Sequence, residues 1–167
     1  MDKKNVNHPA HYTEQGKVEC IDYIAAAILP YQGVVAGDIQ NVLKYTWRAD
    51  NKNGLEDIEK ALWYAKHASN LIYFVHKRNE NLLQRAWLIL RVKRSSKEEK
   101  NLREGMAQVE SHLTKRELSC YHKMMNAILD GNLYKTVAAT VDFVDALREW
   151  VEIYEEEAQS KKERKEP

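Results

Sequence analysis

Residues 55–79 read LEDIEKALWYAKHASNLIYFVHKRN. The pattern predicts one long helix across the stretch. Acidic Glu56 and Asp57 stand in its first turn, and His76, Lys77 and Arg78 in its last. Both placements complement the helix dipole, which favours anions at the N-terminus and cations at the C-terminus. The composition agrees with this helical reading. Six Gly and three Pro in 167 residues are few for an all-β chain, which needs many turns. Hydrophobic residues at 44% and charged residues at 31% argue against disorder along most of the length. A chain of this size buries about 70% of its unfolded surface, enough for a core without disulfides or metals. The fold expected is all-α, a helical bundle with an extended N-terminal arm.

Working outward from the long helix, DNKNG (50–54) reads as a turn. Before it, a helix is expected over about 39–49, with Asp38 as its N-cap. YQGVVAG (31–37) reads as a loop, and ECIDYIAAAIL (19–29) as a first helix stopped by Pro30. Residues 1–18 form the polar arm. After the long helix, NLLQRAWLILRVK (81–93) is apolar and helical. Ser96 with Glu99 and Thr114 with Glu117 are spaced as capping boxes, opening helices of about 97–112 and 115–129. Gly131 is placed as a stop. A last helix of about 133–157 carries Val137, Val141, Val144, Leu147, Val151 and Tyr154 at helical steps. This divides the chain into 1–80, an extension of 81–158 that completes the bundle or mediates oligomerisation, and a charged tail, 159–167.

Charge narrows the function classes. Lys plus Arg total 26 and Asp plus Glu 25, and each half of the chain is close to balance. A strongly basic nucleic-acid binder and a polybasic membrane anchor are disfavoured, so any anion site is a local constellation. No stretch approaches 18 consecutive apolar residues, so no membrane span is expected. Residues 1–16 contain no apolar run of the signal-peptide kind. Cys20 and Cys120 lie far apart in apolar helical contexts and read as reduced core thiols, which points to a cytoplasmic protein.

The second helix carries the clearest chemistry. At 100° per residue, Ile39, Val42, Leu43 and Thr46 project to one side, and Asn41, Lys44, Tyr45 and Arg48 to the other. An ammonium and a guanidinium suit phosphate oxygens, and a phenol can stack on a base. The same four residues also suit an ordinary solvated face with snorkelling cations. Lys52, Asn53 and Gly54 then lead into a helix N-terminus, a geometry that favours anions. Lys60 and Tyr64 share a side with Asp57. The glycine-rich spacing of a P-loop is absent. In the arm, His8, His11 and Tyr12 offer imidazoles and a phenol. Two carboxylate groups, Glu19 with Asp22 and Glu56 with Asp57 and Glu59, could orient the basic groups or hold Mg²⁺. They equally suit helix starts.

Four blocks then occur in order: HPAHY (8–12), ECID (19–22), NVLKYTWR (41–48) and KNGLEDIEKALWY (52–64). Over about residues 7–67 the chain resembles the SaV-like family of small phage proteins. Gln40 stands where that family often has Gly. One relative, from the T-seven-like phages, is described as a nucleoside monophosphate kinase lacking a P-loop. The resemblance implies a nucleotide site carried by His8, His11, Tyr12, Glu19, Asp22, Asn41, Lys44, Tyr45, Arg48, Lys52, Asn53, Glu56, Asp57, Lys60 and Tyr64. In that reading His11, Lys44 and Arg48 act catalytically, with ATP as donor. The alternatives are a non-catalytic module that sequesters a nucleotide or a nucleotide-derived host defence signal, and a metal-dependent all-α nucleotide pyrophosphohydrolase. A homo-oligomer with a pocket shared between subunits is expected, and a host protein is a further candidate partner.

Overall fold

A computed structural model of the chain describes residues 18–78, 93–129, 133 and 137–164. Among these residues there are six α-helices and no strand: α1 (Cys20–Ile28), α2 (Gly33–Arg48), α3 (Leu55–Arg78), α4 (Ser96–Glu110), α5 (Lys115–Leu129) and α6 (Val137–Glu163). A short 3₁₀ turn, Ala49–Asn51, joins α2 to α3. The all-α expectation holds. Residues 1–17 of the arm, residues 81–92 of the apolar segment, and Gly131 lie outside the described residues, while Val18 is buried in the core.

The α2–α3 turn is built on a backbone that only glycine adopts cheaply. Gly54 has φ +53°, and its N–H donates to the Ala49 carbonyl at 2.8 Å. In that conformation a Cβ meets the following carbonyl, at a cost of about 1–2 kcal/mol. The ring of Tyr154 on α6 lies against the same glycine, and the Tyr154 hydroxyl donates to Asp50. The last helix thus covers the hinge between α2 and α3.

Helices α2 and α3 run antiparallel. Asp38 meets His67, Tyr45 meets Lys60, and Arg48 meets Asp57. Ile39, Val42, Leu43 and Thr46 are all buried, as their common side of α2 required. Thr46 satisfies its hydroxyl on the Val42 and Leu43 carbonyls, both at 3.1 Å. Helix α1 packs on α2, α4 and α5, while α6 packs on α3 and α5. The buried apolar residues of both halves join in one cluster, from Ile24 and Leu43 to Met124 and Trp150. Cys20 and Cys120 are free and buried. Burial pushes the Cys20 thiol up to about 12, against the pull of Lys44 and Arg48, and the Cys120 thiol up to about 11.

Three local expectations are corrected. Helix α2 starts at Gly33, so Asp38 is not an N-cap but a buried carboxylate inside the helix. The first capping box is Ser95 with Glu98, one residue earlier than the Ser96–Glu99 pair. Both pairs have the required spacing. The chain enters α4 held by Arg94, which donates to the Ala26 and Ala27 carbonyls at 2.7 and 3.3 Å and caps α1. The second box is seen, with Thr114 and Glu117 bonded reciprocally. The last helix runs on to Glu163, through the start of the segment taken as a tail. Its buried stripe is Phe143, Ala146, Leu147, Trp150 and Ile153, whereas Val141 is exposed.

Where α1 crosses α4, Gly105 admits the Tyr23 ring. A Cβ there would sit 2.5 Å from Tyr23 Cδ2. Tyr23 is fully buried, and its hydroxyl is 3.1 Å from that of Tyr121 and donates to Met125 Sδ at 3.2 Å. The ring cannot retreat without breaking those contacts. Gly105→Ala should therefore destabilise the fold by about 1–3 kcal/mol, the usual cost of overpacking. Urea unfolding followed by circular dichroism tests this, and an unchanged midpoint contradicts the packing described.

Candidate functional site

The strongest polar contact on α2 and α3 is a two-pronged ion pair. Arg48, at the last residue of α2, donates from Nε to Asp57 Oδ2 at 3.0 Å and from Nη2 to Oδ1 at 2.9 Å. The Asp57 side chain is fully buried and that of Arg48 nearly so, at 12% exposure. Asn53 Nδ2 reaches the same carboxylate at 3.5 Å. The guanidinium fork matches the carboxylate edge, so the pair fixes both the angle and the register of the two helices.

This pair aims a row of side chains outward. The Tyr45 ring is met by Lys44 Nζ at 4.5 Å, Arg48 Cζ at 4.7 Å and Lys60 Nζ at 5.9 Å from its centroid. Each is within cation–π range. Tyr64 stacks on Tyr45 at 5.8 Å. Lys44 donates to Asn41 Oδ1 at 2.7 Å, and Asn41 Nδ2 donates to the Gly37 carbonyl at 2.9 Å. Lys60 pairs with Glu56. Burial first, and then the neighbouring Arg48 charge, lower the Lys44 pKa from that of an ordinary lysine. The side chain thus carries its charge in a half-buried place, with a neutral amide as its hydrogen-bond acceptor.

The other predicted residues are placed differently. Lys52 and Asn53 are exposed in the turn. The amides that follow them are already used: Glu56 N donates to Asn53 O, and Asp57 N and Ile58 N donate to Gly54 O. These amides are spent on backbone carbonyls within the helix start. Asp22 is exposed and Glu19 half-buried on α1. Among the described residues, no three His, Cys, Asp or Glu side chains gather where a metal ion could be held. Asp57 is bonded to Arg48, and Glu56 to Lys60. These carboxylates orient cations. His8, His11 and Tyr12 lie outside the described residues.

Sequence reasoning missed a second polar pair. The buried Asp38 carboxylate lies 2.8 Å from His67 Nδ1. Trp63 stacks on the His67 ring at 5.4 Å and 8°, and Tyr64 meets Trp63 edge-on at 4.9 Å. The only local signal was spacing, since Trp63, Tyr64 and His67 share one side of α3.

Removing Asp57 takes away the buried carboxylate that holds both prongs of the nearly buried guanidinium. Asp57→Ala should cost about 3–5 kcal/mol of stability. The double variant Arg48→Met with Asp57→Leu should recover most of that loss, because both members of the buried pair are replaced by apolar groups. Denaturant titrations of the three proteins measure it. Equal stability of wild type and Asp57→Ala contradicts the clamp.

Residues 6–66 match the family described as a protein of unknown function, DUF3310. No curated protein matches the chain. No solved structure matches it either. The matched stretch ends within α3 and holds Arg48, Asp57, Tyr45, Lys44, Lys60 and Tyr64.

Proposed function

We propose that the outer face of the α2–α3 hairpin binds a nucleotide by its phosphate groups, and that the chain is a nucleoside monophosphate kinase without a P-loop. The observation that supports binding is the convergence of Lys44, Arg48 and Lys60 on the single ring of Tyr45. Like charges brought together on two helices repel. Asp57 and Glu56 offset part of this, while among the described residues Lys44 donates to a neutral acceptor, the Asn41 amide oxygen. An incoming phosphate supplies the missing negative charge. The kinase reading is supported by the sequence resemblance alone.

In this account Lys44 and Lys60 meet phosphate oxygens. Arg48 acts through Asp57 and Tyr45, holding the hairpin and the ring in place. Transfer breaks the bond between the γ-phosphorus of ATP and its bridging oxygen. A bond forms to an oxygen of the acceptor monophosphate, giving ADP and a nucleoside diphosphate. Such a reaction needs mainly positioning and neutralisation of charge, which two lysines on a rigid hairpin supply. His8 or His11 is assigned a phosphate contact or a proton shuttle, and Tyr12 a contact to the base, on sequence position only.

Lys44 separates this reading from an ordinary solvated face. Lys44→Gln should leave the melting temperature unchanged or raised, since it removes a half-buried like charge. It should weaken nucleotide binding about tenfold or more, the value of a charge-assisted hydrogen bond. Calorimetric titration with deoxynucleoside monophosphates, beside thermal melting, measures both. Wild-type affinity in Lys44→Gln contradicts the site. Turnover is tested by ADP release from ATP with each common monophosphate as acceptor. Release above background supports the kinase. Tight binding without release overturns catalysis and leaves a sequestering module.

The charge state of Lys44 adds a pH test. Its pKa is lowered in the folded protein. Its positive charge is therefore lost, as pH rises, before that of an ordinary lysine. Phosphate affinity should fall at a lower alkaline pH in wild type than in a Lys44→Arg variant, whose guanidinium keeps its charge. Coincident profiles for the two proteins contradict the assignment of Lys44.

A further inference from the structure

We infer that Trp63 and His67 form the base-binding end of this nucleotide site, with Asp38 setting which edge of the base is read. The inference rests on the nucleotide reading above and adds its direction and a second set of contacts. The phosphate-facing cations lie at one end of the hairpin and the Asp38–His67 pair at the other. Lys60 and His67 are seven residues apart on α3, roughly 10 Å along the helix axis. Between them the aromatic rings touch in series: Tyr45 stacked on Tyr64, Tyr64 edge-on to Trp63, and Trp63 stacked on His67.

Tyr45 is a poor platform for a base. Tyr64 is stacked on it, and three cations crowd its ring. Trp63 is 59% exposed although it is the largest apolar side chain on this face, and His67 is 42% exposed. Nothing in the core requires an indole there. An exposed ring lying parallel to an imidazole gives a flat ledge on which a base can stack.

Asp38 gives the ledge a fixed polar tip. A carboxylate oxygen only accepts, so Nδ1, 2.8 Å away, is the donor of this hydrogen bond. In the neutral ring this leaves Nε2 as a hydrogen-bond acceptor. A buried Asp inside a helix is costly unless it is paired, so its place opposite His67 is a specific one. Nε2 then accepts from an N–H on the edge of the base, while phosphates sit at Lys44 and Lys60. The ligand class is a nucleoside phosphate whose base presents a ring or exocyclic N–H. Asp38 is a positioning residue that acts through His67.

The test compares a deoxynucleoside monophosphate with deoxyribose 5-phosphate, which carries the phosphate and lacks the base. Calorimetric titration of the full chain gives both affinities. In wild type the base should add roughly tenfold or more, the scale of one base–aromatic stack. Trp63→Ala should remove most of that gain and leave deoxyribose 5-phosphate affinity unchanged. The exposed position makes unfolding an unsuitable explanation, and melting curves check it. His67→Gln and Asp38→Asn should each flatten the ranking among the four common monophosphates, an effect that general loosening does not produce. A full base gain in Trp63→Ala, with the ranking intact in His67→Gln, overturns the ledge while the phosphate site stands. Absence of any binding by wild type overturns both.

Discussion

The Arg48–Asp57 pair is the constraint on which the α2–α3 face depends. It joins the last residue of one helix to the first turn of the next, across a turn whose glycine takes a left-handed backbone. Two parallel hydrogen bonds leave little freedom of rotation between the helices. Everything outward of the pair inherits its register. Tyr45 meets Lys60 and Tyr64, and further along Asp38 meets His67. A buried ion pair contributes little net stability compared with apolar packing, so its value here lies in fixing one arrangement.

The rest of the chain braces this hairpin. Tyr154 of α6 lies on Gly54 and bonds to Asp50, and α1 fills the inner side of α2 and meets α4 through the Gly105–Tyr23 contact. The described part of the stretch matched at residues 6–66 shares its core with helices beyond it. The second half thus supports the hairpin mechanically, and the described face itself is made of α2 and α3 side chains.

Much of the helical order was legible because it is local. Dipole-matched charges, capping spacings and apolar periodicity each need only a few neighbouring residues. Errors arose where a local signal was ambiguous or overridden. Ser95 and Ser96 each have Glu three residues on, and the Arg94 contacts to α1 accompany the choice of the first. Asp38 precedes an apolar-periodic stretch and looks like a cap. Its partner is 29 residues away on α3, and no local pattern reveals that pairing. The cationic side of α2 was visible as a helical stripe. The division of labour within it was not, because Arg48 and Asp57 become partners only once the turn has closed.

Binding of a nucleotide to the α2–α3 face is the central claim, and a chemical-shift titration tests it most directly. Isotope-labelled full-length protein is titrated with a deoxynucleoside monophosphate and the backbone amide shifts are followed. The account predicts saturable shifts grouped on Asn41, Lys44, Tyr45, Lys60 and Tyr64, extending to Trp63 and His67. Saturable shifts confined to α4, α5 and α6, or none at millimolar ligand, would contradict it.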